Sequence, residues 1–107
     1  ASVITPEETI FLKDAKKTYQ IAVAEILYLE SYGSYVKVHH EKGTITTLDR
    51  LTNFEHRLSN TQFIRVHRSY IVNAKKITVI EGNRITIGDH HVPIGKMYKV
   101  NINALLK

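Results

Sequence analysis

The chain has 107 residues, 43% of them hydrophobic and 23% charged, with a formal net charge of +5 at pH 7. That length supports one small domain and no two-lobed enzyme. No apolar run nears the about 20 residues that span a bilayer, and the lack of cysteine excludes disulfide frameworks, thiol nucleophiles and cysteine-based zinc sites.

Residues 1–8 lack the basic and apolar regions of a signal peptide and read as a linker or the remnant of a longer chain. Residues 9–13 and 17–23 are β-branched or alternating, and Asp14-Ala15-Lys16 between them reads as a turn, which predicts a hairpin. Ala24-Glu25 breaks the alternation. Residues 26–30 are a continuous apolar run, consistent with a buried strand or a helix segment. Ser31-Tyr32-Gly33-Ser34 reads as a loop, residues 35–39 alternate with Val36 and Val38 on one face, and Glu41-Lys42-Gly43 turns the chain into residues 44–47. A β-meander is the simplest arrangement. Leu48, Leu51, Phe54 and Leu58 then recur at helical spacing, with Thr47 or Asp49 as the cap and Ser59-Asn60 as the stop.

The stretch at residues 63–73 sets cations directly inside strand-like sequence. Residues 63–66 and 70–72 are aromatic and β-branched, and His67-Arg68-Ser69 interrupts them. From Phe63 to Lys76 the chain carries Arg65, Arg68, Lys75 and Lys76 and no acid. A guanidinium on a rigid strand end suits guanine edges or phosphate oxygens, because its planar fork donates two parallel hydrogen bonds. The alternative is an edge strand kept soluble by its arginines. Residues 77–80 and 84–87 read as strands around Glu81-Gly82-Asn83, and Gly88-Asp89 turns into residues 90–92, which Pro93 ends. In the tail, Tyr98, Ile102 and Leu105 or Leu106 lie near helical spacing. Taken together, the fold class is mostly β with one short helix and a C-terminal helical segment.

Other chemistries find little support. The pairs His39-His40 and His90-His91 invite a metal, but neighbours on a strand point to opposite faces, so neither pair chelates as a unit. His67 lies two positions before Ser69, without a nucleophile elbow, a phosphate-binding glycine loop or a shared carboxylate pair. Tyr32 and Tyr35 flank a glycine loop and could stack bases, yet no RNA-binding motif accompanies them. The reading is a binding domain, not an enzyme, with no cofactor, no metal and no small-molecule substrate.

Phe-x-Arg-Val-His-Arg-Ser-Tyr-Ile-Val-Asn at residues 63–73, followed by Lys76-Ile77, Ile87-Gly88-Asp89, Val92-Pro93-Ile94-Gly95-Lys96 and Tyr98, resembles the LytTR DNA-binding domain, the output module of LytR/AlgR-type bacterial response regulators. The resemblance runs over nearly the whole chain and implies one domain, an elongated stack of short antiparallel sheets whose loops and strand ends reach successive major grooves. It implies base contacts from Ser34, Tyr35, Arg68 and Lys96, and phosphate or supporting contacts from Lys37, His67, Ser69, Asn73 and Lys75. Lys96 departs from the arginine more usual there. The expected partner is double-stranded promoter DNA with direct-repeat half-sites in the cytoplasm, with dimerisation through an N-terminal receiver domain outside this sequence. The rival is a basic protein-interaction or membrane-surface module.

Overall fold

The computed structural model describes residues 9–58 and 62–105. The segment 1–8, the helix stop expected at Ser59-Asn60, and Leu106 lie outside them. β1 (Thr9–Asp14) and β2 (Lys17–Ala22) form the predicted hairpin, closed by Ala15-Lys16 with Ala15 at φ 54°. β3 (Ile26–Tyr32), β4 (Tyr35–His40) and β5 (Gly43–Leu48) form the meander, and α1 (Leu51–Arg57) follows. β6 (Phe63–His67) and β7 (Tyr70–Asn73) make a second hairpin. β8 (Val79–Glu81), β9 (Arg84–Ile87) and β10 (His90–Pro93) precede a 3₁₀ turn at Lys96–Tyr98 and α2 (Lys99–Leu105).

The strands make a stack of antiparallel sheets. A five-stranded sheet ordered β5-β4-β3-β7-β6 stands between the β1-β2 pair and a β10-β9-β8 sheet. Alternation along the central strands feeds two cores. Leu29, Val36, Val38, Ile45 and Ile71 pack with Leu12, Ile21 and Val23 and with Leu51, Phe54 and Leu58 of the α1 segment. Tyr28, Val66 and Val72 pack with Ile85, Ile87, Val92 and Ile94 and with Ile102 of α2. A strand covered on both faces reads as a continuous apolar run, which is why residues 26–30 show no clean alternation.

Several boundaries move: β8 is Val79–Glu81 rather than residues 77–80, and Val23 belongs to a 3₁₀ turn rather than to β2. Ser31 and Tyr32 belong to β3, because Tyr32 pairs with Tyr35 and leaves a two-residue turn at Gly33-Ser34, with Gly33 at φ +60°. Leu48 does not join the helical stripe: it pairs with Tyr35 at the end of β5 and is 70% exposed, so the buried stripe is Leu51, Phe54 and Leu58. Thr47 is a buried strand residue, and the N-cap position falls to Arg50 without a side-chain bond. Asp49 braces the junction instead, its Oδ1 accepting from the Arg50 N–H and from Asn53 Nδ2, both at 2.7 Å.

One histidine from each sequence pair meets the other around Tyr28. Tyr28 stacks on His39 with centroids 4.3 Å apart and meets His90 edge-on at 5.3 Å. His39 Nε2 lies 3.1 Å from Glu30 Oε1, and its Nδ1 shares a hydrogen bond with the Thr44 hydroxyl. Among the described residues no group of three or more His, Asp or Glu side chains is placed to hold a metal ion. Burial pushes the His39 pKa below its ordinary value, the Glu30 hydrogen bond and charge oppose this, and His90 and Lys37 reinforce it.

Two outcomes follow from this packing. Phe54 is fully buried, so Phe54→Ala should cost about 3–5 kcal/mol, a large share of the roughly 5–15 kcal/mol of a small domain; urea denaturation measures it. The depressed His39 pKa means that the unfolded chain takes up this proton first as pH falls below about 6.5. Stability should therefore drop with pH in that window, and the slope of Tm against pH should be shallower in His39→Gln. Equal slopes would assign the titration to another group.

Candidate nucleic-acid interface

Register brings distant segments to one end of the central sheet. β3 and β7 run antiparallel with Glu30 opposite Tyr70, so the Gly33-Ser34 turn and the Arg68-Ser69 turn emerge side by side. The Ser31 N–H donates to the Ser69 carbonyl at 2.9 Å and ties them together. β5 ends at the same level, since Leu48 pairs with Tyr35, and this adds the Asp49-Arg50 junction. Between these segments lies a cleft of about 590 Å³, lined among others by Ser31, Ser34, Arg50, Thr52, Arg65 and Arg68.

The Arg68 turn is shaped by Arg65. Register slips between Arg65, opposite Ile71, and His67, opposite Tyr70, so Val66 is an extra residue that bends β6. Arg65 Nε donates to the His67 carbonyl at 2.9 Å, one terminal nitrogen donates to the Arg68 carbonyl, and the other meets Glu55 Oε1 of α1 at 2.8 Å. Its side chain is only 12% exposed. His67 Nδ1 accepts from the Ser69 backbone N–H at 3.0 Å, so this nitrogen serves the turn rather than activating the Ser69 hydroxyl. Asn101 of α2 donates to the Arg65 carbonyl at 2.8 Å, which fixes β6 from the other side.

Gly95 lies against this bend, its N–H donating to the Val66 carbonyl at 2.8 Å. A Cβ there would come within 3.2 Å of the Tyr98 ring and 3.4 Å of the His67 ring, so glycine permits the approach. Lys96, exposed, follows beside the bulge. Of the expected base readers, Ser34, Arg68 and Lys96 are thus gathered around one sheet end, with Tyr35 46% exposed at the start of β4. His67 and Ser69 form their turn. Lys37 holds its ammonium 3.9 Å above the Tyr32 ring.

Two expected residues are not joined to this cluster. Asn73 is fully buried, its Nδ2 donating to the Ile26 carbonyl at 2.8 Å and its Oδ1 accepting from the Lys75 N–H at 3.0 Å, so its part is support. Lys75 follows the far end of β7, opposite the Arg68 turn, because β7 runs away from that turn toward the start of β3. The cationic run also divides. Arg65 pairs with Glu55 and Lys76 with Glu41 at 2.5 Å, whereas Arg68 and Lys75 are exposed and have no acidic partner among the described residues. Arg50 is the cleft residue that sequence reasoning missed, since Leu48 and Asp49 drew its segment into a helix.

Arg65→Lys keeps a charge for Glu55 but loses the fork that holds two carbonyls. Hydrogen bonds to a charged group contribute about 1.5–3 kcal/mol, so amide hydrogen exchange at Ser31 and Ser69 should quicken clearly and the global melting transition should fall by several degrees. Unchanged exchange at both amides would mean that the turn holds itself.

Comparison with known proteins agrees with this architecture. Residues 16–107 match the LytTr DNA-binding domain family. The chain is 33% identical over 93 residues to the CO-responsive transcriptional regulator RcoM of Rhodospirillum rubrum, covering 80% of this chain and 39% of the relative. It is 30% identical over 93 residues to the sensory transduction protein LytT of Bacillus cereus, covering 81% and 38%, and 31% identical over 65 residues to the transcriptional regulatory protein LytR of Staphylococcus aureus, covering 61% and 26%. The chain therefore spans well under half the length of these curated relatives. A solved LytTr DNA-binding domain from Bacillus cereus superposes with a TM-score of 0.82 at 27% identity, over 94% of this chain and 98% of that one. The chain belongs to the LytTR family of DNA-binding domains.

Proposed function

We propose that this chain is the sequence-specific double-stranded-DNA-binding output domain of a bacterial transcriptional regulator that works in the cytoplasm on promoter DNA. The observation that carries the reading is Arg68: an exposed guanidinium, free of acids among the described residues, on a turn whose two carbonyls Arg65 holds. A rigidly mounted arginine can bind guanine O6 and N7 together, and each such pair is worth about 1–3 kcal/mol of discrimination. Ser34, Tyr35 and Lys96 join it as base readers. Lys37, His67 and Ser69 line the same sheet end as phosphate or supporting contacts, and Asn73 supports from within. Contacts in successive major grooves from these turns and strand ends belong to the same proposal. Pairing of two copies on directly repeated half-sites, driven by a receiver domain in a longer chain, completes the proposal.

Affinity should fall steeply with salt, since each neutralised phosphate releases counterions; roughly four to seven contacts give a slope of log K against log salt of about −4 to −6. Arg68→Ala should lose about 1–3 kcal/mol on the cognate site and little on random duplex. Lys75→Ala, at the opposite sheet end, should lose little on either. A mobility shift with and without excess unrelated duplex reads both. A flat salt response would remove nucleic acid as the partner, and equal losses on both duplexes for Arg68→Ala would reduce it to a backbone contact.

A further inference from the structure

We propose that the cleft between the two hairpin turns and the start of α1 holds a backbone phosphate of the bound DNA, gripped by Arg50. This contact presupposes the DNA-binding reading above and extends the interface to the β5–α1 junction.

Arg50 is exposed, and no acid pairs with its guanidinium among the described residues. The two nearby carboxylates are already engaged. Asp49 Oδ1 accepts from the Arg50 backbone N–H and from Asn53 Nδ2, its Oδ2 lies 3.9 Å from an Arg57 terminal nitrogen, and Glu55 is bound to Arg65. Across the cleft stands Arg68, equally free. Between them the lining is polar, with hydroxyls from Ser31, Ser34 and Thr52, the Asp49 carboxylate and the Arg65 side chain. Two guanidinium groups without an acidic partner, over a cleft whose lining sets three arginines against the one carboxylate of Asp49, make a site for an anion.

DNA backbone fits better than a free small anion. A small anion is retained by donors that are themselves withdrawn from water, whereas both free arginines here are exposed and screened. Exposed donors suit an anion that is held in place by many other contacts, as a phosphodiester is once Arg68 has engaged a base edge in the adjoining groove.

Arg50→Ala and Arg50→Gln, each checked to melt like the parent, should weaken cognate and random duplexes by the same factor and reduce the magnitude of the salt slope by about 0.9, while Arg50→Lys retains most of the slope. Duplexes with single neutral methylphosphonate linkages should contain a position that weakens the parent and leaves Arg50→Ala unaffected. If the parent's salt slope is steep but both neutral variants keep it and its affinity, this contact is refuted and the DNA-binding reading stands. If the parent's own slope is flat, both fall. Saturable binding of inorganic phosphate to the parent, lost in Arg50→Ala without any change in duplex affinity, would assign the cleft to a free anion and overturn the proposal.

Discussion

The geometry of the interface depends on what Arg65 does with its five N–H donors. One guanidinium closes the His67-Arg68-Ser69 turn by binding two of its carbonyls and anchors that turn to α1 through Glu55. The bond to the His67 carbonyl is part-buried and the bond to the Arg68 carbonyl is exposed, so what the guanidinium supplies is the direction of the turn. A neutral side chain could satisfy one of these carbonyls, but not both and a carboxylate as well. Glu55 is adjacent to Phe54, which the core holds fully buried, so the chain of support runs from the apolar interior through α1 and Arg65 to the backbone that carries Arg68. In this way the exposed Arg68 acquires a defined backbone direction without being packed itself.

The same constraint explains the stack. A hairpin of two short strands is marginal alone, and the β6-β7 pair gains its rigidity from β3 on one side and from two cores above and below. The second core includes Ile94 and Ile102, and this is what brings Gly95 and Asn101 onto β6, where both hydrogen-bond its carbonyls. A bulge at Val66 would otherwise leave the ladder open at this point. Instead, the groups freed by the bulge are taken up by the chain that leads to Lys96.

Sequence patterning revealed the local elements well. The first hairpin, the meander and the Phe54 stripe follow from alternation and turn residues within a dozen positions, whereas the β6 and β7 strands are legible but their pairing was not read. The misses were long-range. Leu48 fits a helical spacing, but its register with Tyr35 keeps it in β5. The run from Arg65 to Lys76 looks like four equivalent cations, yet Arg65 and Lys76 are neutralised by Glu55 and Glu41, partners 10 and 35 residues away. Arg50 was passed over for the converse reason: nothing in its neighbours discloses that Asp49 is occupied elsewhere. His39 and His90 meet only because two sheets are stacked.

Net charge therefore says little about where an anion is met; the pattern of pairing says more. Within the proposed interface the free cations also differ in kind. Arg68 combines a planar fork with a backbone held at two carbonyls, so both its chemistry and its mounting favour discrimination. Lys96 has the mounting without the fork: Gly95 seats the chain against His67, where an added Cβ would press within 3.5 Å of the His67 Cα, but the ammonium beyond it is a strongly hydrated point donor on a flexible stem. On the proposed reading, base discrimination is therefore strongest at the Arg68 turn, with Lys96 a weaker base reader beside it.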